Sequence, residues 1–394
     1  MSVSAARSML AALGPDERRH SEAVAAHIRA ELAAAGGWLS FERFMELALY
    51  APGLGYYSAG SVKLGPGGDF VTAPEMSELF GRCLARQCAG VLRETGGGIL
   101  ELGAGSGALA ATVLAALESE GRLPDRYAIL EVSADLAARQ RARIAALAPR
   151  LRERVVWLER LPPAPLRGVI LANEVADALP CRRFTLRGGS VRELGVRLAP
   201  DGSFQDAEAE PERALAAGCA AVLGGALRAL ADGYTSELNL RLAPWIRALG
   251  ECLERGVLLL TDYGLPRAHY YHPQRSSGTL RCHFRQRAHE DPFVNLGLQD
   301  ITAWVDFTRV AEAAHEAGLE VAGFATQAAF LLALGLEQEV AAAADIVTRS
   351  RLAGEARRLV MPEEMGEAFK AMALARGYDA PLAGFALQDL RRLL

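Results

Sequence analysis

The sequence predicts an α/β protein built on a largely parallel sheet, and three features carry that expectation. Ile99-Leu100-Glu101-Leu102 runs into Gly103-Ala104-Gly105-Ser106-Gly107 and then into an alanine-rich helical stretch, 108–117. Strand, glycine loop and helix in that order form the first half of a nucleotide-binding βαβ unit. A second apolar run, 127–130, closes on another acid, Glu131. Further apolar runs alternate with helical stretches, so that seven core strands are expected at 99–102, 127–130, 155–158, 168–172, 257–260, 319–324 and 369–374.

The chain opens with helices. One is expected over 15–35, started by Pro15 and Asp16 and ended by Gly36-Gly37. Ser40 caps a second, whose apolar face is Phe41, Phe44, Met45, Leu47 and Ala48, and Pro52-Gly53 stops it. A glycine-dense stretch follows, 65–75, carrying Phe70, Val71, Thr72 and Glu75; it reads as a lid or site wall, with a domain linker as the alternative. Pro74 and Glu75 then open a helix that runs past Val91 to Gly96-Gly97-Gly98.

After Glu131 come a helix over 134–148, the third strand, a proline cluster (Pro162, Pro163, Pro165) and the fourth strand, which ends in Asn173-Glu174-Val175-Ala176-Asp177-Ala178-Leu179-Pro180. Ligands of open α/β sheets bind outside the carboxyl ends of the strands, so Asn173, Glu174 and Asp177 belong to the same crevice as Gly105. The alternative is a helix N-cap by Asn173, with the acids favouring the helix dipole. Alternation around Gly188-Gly189 and Asp201-Gly202 predicts an antiparallel β insertion over 183–206, followed by helices over 211–231 and 235–254. The fifth strand ends at Asp262-Tyr263-Gly264. Residues 265–305 read as an irregular substrate cap crowded with polar and aromatic groups. A helix over 307–317, the sixth strand, a helical insertion over 328–358 and the last strand complete the chain. The expected organisation is an N-terminal helical region with its glycine-rich lid (1–80), a core (81–264) with an insertion at about 181–235, the cap (265–305), and the end of the core (306–394).

Composition bounds the function. With 394 residues, 51% of them hydrophobic, the chain can bury a large core. A net charge of −4 gives no global basic field for nucleic acid. No run reaches the ~18 apolar residues of a membrane span, and no secretory signal is recognisable, so a cytoplasmic bacterial-type protein is expected. Six cysteines are scattered without C-x-x-C spacing, and His269, His272, His283 and His289 match no metal-site spacing, so neither disulfide nor metal is expected.

The glycine spacing is G-x-G-x-G, which is neither the dinucleotide fingerprint nor a P-loop; a tight strand–helix connection would also use it. The two acids narrow the choice. Glu101 ends a buried strand, where a carboxylate is costly without a partner. Glu131 stands where an acid accepts hydrogen bonds from ribose hydroxyls. Glu101, three glycines and Glu131 together suggest adenosine without a polyphosphate, which is what S-adenosylmethionine requires.

Longer blocks add a resemblance. Gly68-Asp-Phe-Val-Thr-Ala-Pro-Glu-Met-Ser-Glu-Leu-Phe-Gly81 resembles the signature of the MidA-like methyltransferases, and Ala172–Pro180, Thr261-Asp-Tyr-Gly264, Asp300–Phe307 and Met365–Lys370 follow in that family's order. The departures are Ala104 where the family has Pro, Val175 and Ala176 where it has two Phe, and Trp304 where it has His, so no base is assigned at 304. The resemblance implies a class I methyltransferase fold, Rossmann-like and seven-stranded, with S-adenosyl-L-methionine as cofactor. Mitochondrial members act in respiratory complex I assembly by symmetrically dimethylating an arginine of a subunit, which implies a protein substrate carrying an arginine. On this basis Gly103, Gly105 and Gly107 admit the methionine part, Glu101 lies near its ammonium, Glu131 holds the ribose, and Asn173, Thr72 and Glu75 complete the cofactor site. Glu174 and Asp177 are the expected catalytic pair, because two carboxylates match the fork of a guanidinium. A small-molecule methyltransferase and a non-catalytic assembly factor remain alternatives, and the oligomeric state is open, a homodimer being one option.

Overall fold

The structure, a computed structural model, describes residues 13–59 and 72–394. Two compact units each collect distant segments: residues 13–59, 178–241 and 267–304 form one, and residues 72–177, 242–266 and 305–394 the other.

The second unit contains the predicted parallel sheet. Its strands are β1 (Gly98–Leu102), β2 (Tyr127–Leu130), β3 (Val155–Leu158), β4 (Leu166–Asn173), β5 (Leu253–Leu265), β6 (Glu320–Thr326) and β7 (Phe369–Arg376), in the order β6-β7-β5-β4-β1-β2-β3. The first five are parallel, and β7 lies antiparallel between β5 and β6. Residues 168–172 of β4 and 256–262 of β5 are buried without alternation, as both-face coverage of a parallel sheet requires. Helices α1 (Glu78–Thr95) and α2 (Ala108–Ser119) supply Phe80, Leu84, Val113 and Leu114 to a core shared with Tyr127, Val169 and Leu259. At the amino ends of the strands, Gly98, Gly168 and Gly256 stand in register across β1, β4 and β5. A Cβ on Gly168 would lie 2.1 Å from the Gly98 carbonyl oxygen, so this edge of the sheet closes only around glycine. The opposite, carboxyl edge is left for the site.

The first unit is held by charge as well as by its core. Helices Pro15–Ala34 and Phe41–Tyr50 pack Val24, Ile28, Phe41, Phe44 and Met45 with Val196, Phe204, Cys282 and Ile301. Strands Arg182–Arg187, Ser190–Leu198, Phe204–Ala209 and Thr235–Leu238, with the short Leu39–Ser40, form an antiparallel sheet. Glu42 joins helix to sheet by accepting from Arg182 Nε at 2.7 Å and from Arg241 Nε. Buried Glu237 fastens the 267–304 segment: its Oε2 accepts from the amide (2.8 Å) and hydroxyl (2.9 Å) of Thr279.

Several local expectations change. The helix expected over 235–254 is strand Thr235–Leu238 followed by helix Leu242–Glu251, because 235–238 pairs with 182–185. The single helix expected over 328–358 is three, broken at Gly335, which takes φ +84, and at Asp345, whose side chain caps Thr348. The segment 265–305, read as irregular, contains an antiparallel sheet of Arg281–Phe284, Arg287–His289 and Asp300–Thr302. The helix opened by Pro74 is interrupted at Ser77, whose hydroxyl caps Leu79 and donates to Glu355 at 2.7 Å. The glycine-dense stretch 60–71, with Phe70 and Val71, lies outside the described residues. Among the described residues, no helix is long and apolar enough to cross a membrane.

Candidate active site

The site is built at the carboxyl ends of β1, β2, β4 and β5. Beyond β1 the chain turns through Gly103 (φ +59), Gly105 (φ +54) and Gly107 (φ +83), all in the left-handed region where a side chain is strained. The turn is closed by the Gly107 amide donating to the Ala104 carbonyl at 2.7 Å, and α2 starts with no side-chain cap on its first amides.

Two acids stand beside this turn, on adjacent strands. Glu101 is 3% exposed, and its Oε2 accepts from the Tyr127 hydroxyl at 2.7 Å. Burial pushes its carboxyl up to about 7; the Tyr127 bond opposes the shift and the nearby Glu131 charge adds to it. Glu131 accepts from the Ser133 amide (Oε1, 2.8 Å) and from Gln140 Nε2 (Oε2, 2.9 Å). Each carboxylate oxygen can accept more than one bond, so Glu131 keeps acceptor capacity for hydroxyls. Val132, next along the chain, is 77% exposed and offers apolar surface at the same strand end.

Gln140 was not foreseen. Its amide also donates to the Gly105 carbonyl at 3.0 Å and accepts from Trp157 Nε1 at 3.0 Å, so one fully buried side chain ties glycine turn, Glu131 and β3 together. Its signal in the sequence is faint, a single amide on a helix face.

Glu75 and Thr72 lie in one short helical turn. Glu75 accepts from the Ser106 hydroxyl of the glycine turn and faces Arg143 at 3.7 Å. Thr72 caps that turn through its carbonyl, which accepts from the amides of Glu75 (3.1 Å) and Met76 (3.0 Å).

At the end of β4 no helix follows Asn173, which excludes its reading as an N-cap. Instead Asn173 Oδ1 accepts from the Thr261 hydroxyl at 2.7 Å, and its Nδ2 donates to Glu174 Oε1 at 3.1 Å. Glu174 takes φ +52, rare for a residue with a side chain. Asp177 is 5% exposed. Asp262, at the end of β5, is in charge contact with Glu174: burial and the Glu174 charge push its carboxyl up and backbone amides pull it down. Two carboxylates this close titrate as a pair, and the pair holds its first proton more tightly than a lone acid does. Asp262 had the signal that singled out Glu101, an acid ending a buried apolar strand.

A carboxyl-edge turn of three left-handed glycines, flanked by two acids and an exposed Val, fits an adenosyl amino acid. Comparison with known proteins agrees. The family model for S-adenosyl-L-methionine-dependent methyltransferases matches residues 83–325. A crystal structure of a COG1565 superfamily member from Burkholderia thailandensis bound to S-adenosyl-homocysteine is 43% identical, with a TM-score of 0.92 over 98% of this chain and 100% of that one. The mitochondrial protein arginine methyltransferase NDUFAF7 homolog of Drosophila melanogaster is 28% identical over 92% of this chain and 88% of its own. The Danio rerio protein arginine methyltransferase NDUFAF7 is 26% identical over 89% and 86%.

Proposed function

The chain belongs to the MidA-like family of S-adenosyl-L-methionine-dependent methyltransferases, and from that premise we propose that it methylates an arginine guanidinium of a protein substrate. The observation that carries the acceptor class is the full-length similarity to proteins named as arginine methyltransferases. When bound, the cofactor supplies a methyl group on a sulfonium, already activated toward a nucleophilic nitrogen. The protein's work is therefore positioning and proton handling.

Gly103, Gly105 and Gly107 would leave room for the cofactor on the turn, Glu131 would accept from its ribose hydroxyls, and Glu101 would lie on the side of its ammonium. Asn173, Thr72 and Glu75 complete the cofactor's surroundings. Glu174 and Asp177 hold the guanidinium by its N–H groups. As the nitrogen–carbon bond forms and the carbon–sulfur bond breaks, leaving S-adenosyl-homocysteine, Glu174 receives the proton that the nitrogen loses, and its orientation by Asn173 prepares it for that role.

Incubation of the protein with methyl-labelled cofactor and a bacterial lysate tests this reading. Label is expected in the protein fraction and, after acid hydrolysis, in methylarginine. Label confined to small molecules overturns the acceptor class. Glu174→Gln is expected to keep cofactor affinity and lose transfer by ~10² or more.

A further inference from the structure

The turn that presents Glu174 is organised from a neighbouring strand. The amides of Val175, Ala176 and Asp177 converge on one oxygen of Asp262, Oδ2, at 3.2, 2.9 and 3.2 Å. The other oxygen accepts from the Tyr263 amide at 2.9 Å. Asp262 is 1% exposed. Successive amides aimed inward in this way make an anion-binding nest, and the anion here is a side chain of the protein itself. The four backbone amides favour the ionised form of Asp262, against burial and the Glu174 charge, which push the carboxyl up to about 8. The adjacent Thr261 takes two roles: its carbonyl accepts from the Glu174 amide at 2.9 Å, and its hydroxyl fixes the Asn173 amide that donates to the Glu174 carboxylate. The end of β5 therefore holds both the backbone and the side chain of Glu174.

We propose that Asp262 is a positioning residue for Glu174: it locks the 174–177 turn through three amides and brings a second carboxylate into charge contact with Glu174, while Thr261 orients the Glu174 carboxylate through Asn173. The inference deepens the reading of Glu174 as proton acceptor and rests on it. A negative neighbour strengthens Glu174's hold on a proton, which favours its acting as a base near neutral pH; the Asn173 amide favours the ionised form and keeps the carboxylate available. Among the described residues, other charged and titratable groups near Asp262 include Asp177 on the turn, Tyr263 beside it, and Lys370, its partner in register on β7, whose ammonium donates to the Glu367 carbonyl.

The two contributions have opposite signs, and that makes them separable. The full-length protein, loaded with S-adenosyl-homocysteine and carrying carboxyl-¹³C glutamate, gives a Glu174 resonance assigned by its disappearance in Glu174→Gln. Asp262→Asn is expected to lower the titration midpoint of Glu174 by about one pH unit, tenfold in proton affinity. Thr261→Val, which releases Asn173, is expected to raise it. A folding defect alone does not move the midpoint in opposite directions. An unchanged midpoint in folded Asp262→Asn overturns the proposal. Should Asp262→Asn fail to fold, Asp262→Glu decides: it keeps the charge but displaces it from the three amides, so a shifted Glu174 midpoint supports the proposal and an unchanged one overturns it. Transfer of labelled methyl to lysate protein tests the underlying reading separately. Wild-type transfer by Glu174→Gln removes Glu174 as the proton acceptor while the measured midpoints still report whether Asp262 governs it.

Discussion

The Tyr127 hydroxyl donates to Glu101 Oε2 at 2.7 Å across two neighbouring strands, and both side chains are buried. This bond partly offsets a burial cost that leaves the Glu101 carboxyl at about 7 against an ordinary 4.5. The folded state thus binds the proton more tightly than the unfolded chain. Its stabilising effect is complete below pH 4.5 and is lost as pH rises through 7, a loss on the order of 3 kcal/mol. Ligand-free Glu101→Gln is therefore expected to melt higher than the wild type at pH 8.5, with the difference shrinking toward pH 5. Thermal melts across that range check it, and parallel melting curves at all pH values would contradict the assignment. Tyr127→Phe removes the opposing donor and should enlarge the pH dependence.

Gln140 makes a different kind of prediction, because its amide satisfies three partners at once. Gln140→Leu keeps the volume but leaves Trp157 Nε1 and the Gly105 carbonyl without this partner, at a cost of roughly 1–3 kcal/mol in stability. Affinity for S-adenosyl-homocysteine, measured by calorimetry, is expected to fall about tenfold, because Glu131 and the glycine turn lose their common brace. Destabilisation with unchanged affinity would make Gln140 a core residue only.

How far the sequence led depends on whether a feature is local. Ile99 to Gly107 encodes strand, turn and helix start within one short run, so the strand, the glycine turn and the helix after it were legible, and Glu131 stood out as the acid closing the next apolar run. The seven strands followed from apolar runs that a doubly covered sheet makes continuous. Thr235–Leu238 was missed because its strand state comes from pairing with Arg182–Thr185, some fifty residues earlier in the chain. The same holds for Asp262 and Gln140. Asp262 was visible as an acid ending a strand, but it acts through amides some 85 residues away, and Gln140 joins Glu131, nine residues before it, to Trp157 and Gly105, which no single short window brings together. Ser77 and Gly335 were visible as residues, but that they break helices depends on Glu355 and on a left-handed backbone that tertiary packing selects.

The glycine turn can be tested without an acceptor. Gly105 sits at φ +54, a conformation that a β-branched residue strongly resists, in the turn assigned to the ligand. Gly105→Val is expected to weaken S-adenosyl-homocysteine binding by ~10² or more, about 2.7 kcal/mol, by calorimetry. Undiminished affinity would count against the turn as the cofactor site.

The opposite edge of the sheet predicts a purely structural effect. At Gly168 a methyl group would meet the Gly98 carbonyl oxygen at 2.1 Å, and at Gly256 it would meet that of Gly168 at 1.9 Å. These are backbone atoms inside hydrogen-bonded ladders, so no side chain can rotate away to relieve the overlap, and the backbone at Gly168 (φ +122) is itself closed to other residues. Gly168→Ala should cost roughly 3 kcal/mol or more. Because the clash lies at the amino ends of the strands and the acids at the carboxyl ends, protein that still folds at low temperature should bind S-adenosyl-homocysteine with near wild-type affinity. Chemical denaturation combined with calorimetry separates the two quantities: lost stability with retained affinity is the expected pattern, and lost affinity in a protein of normal stability would place the ligand at the wrong edge of the sheet.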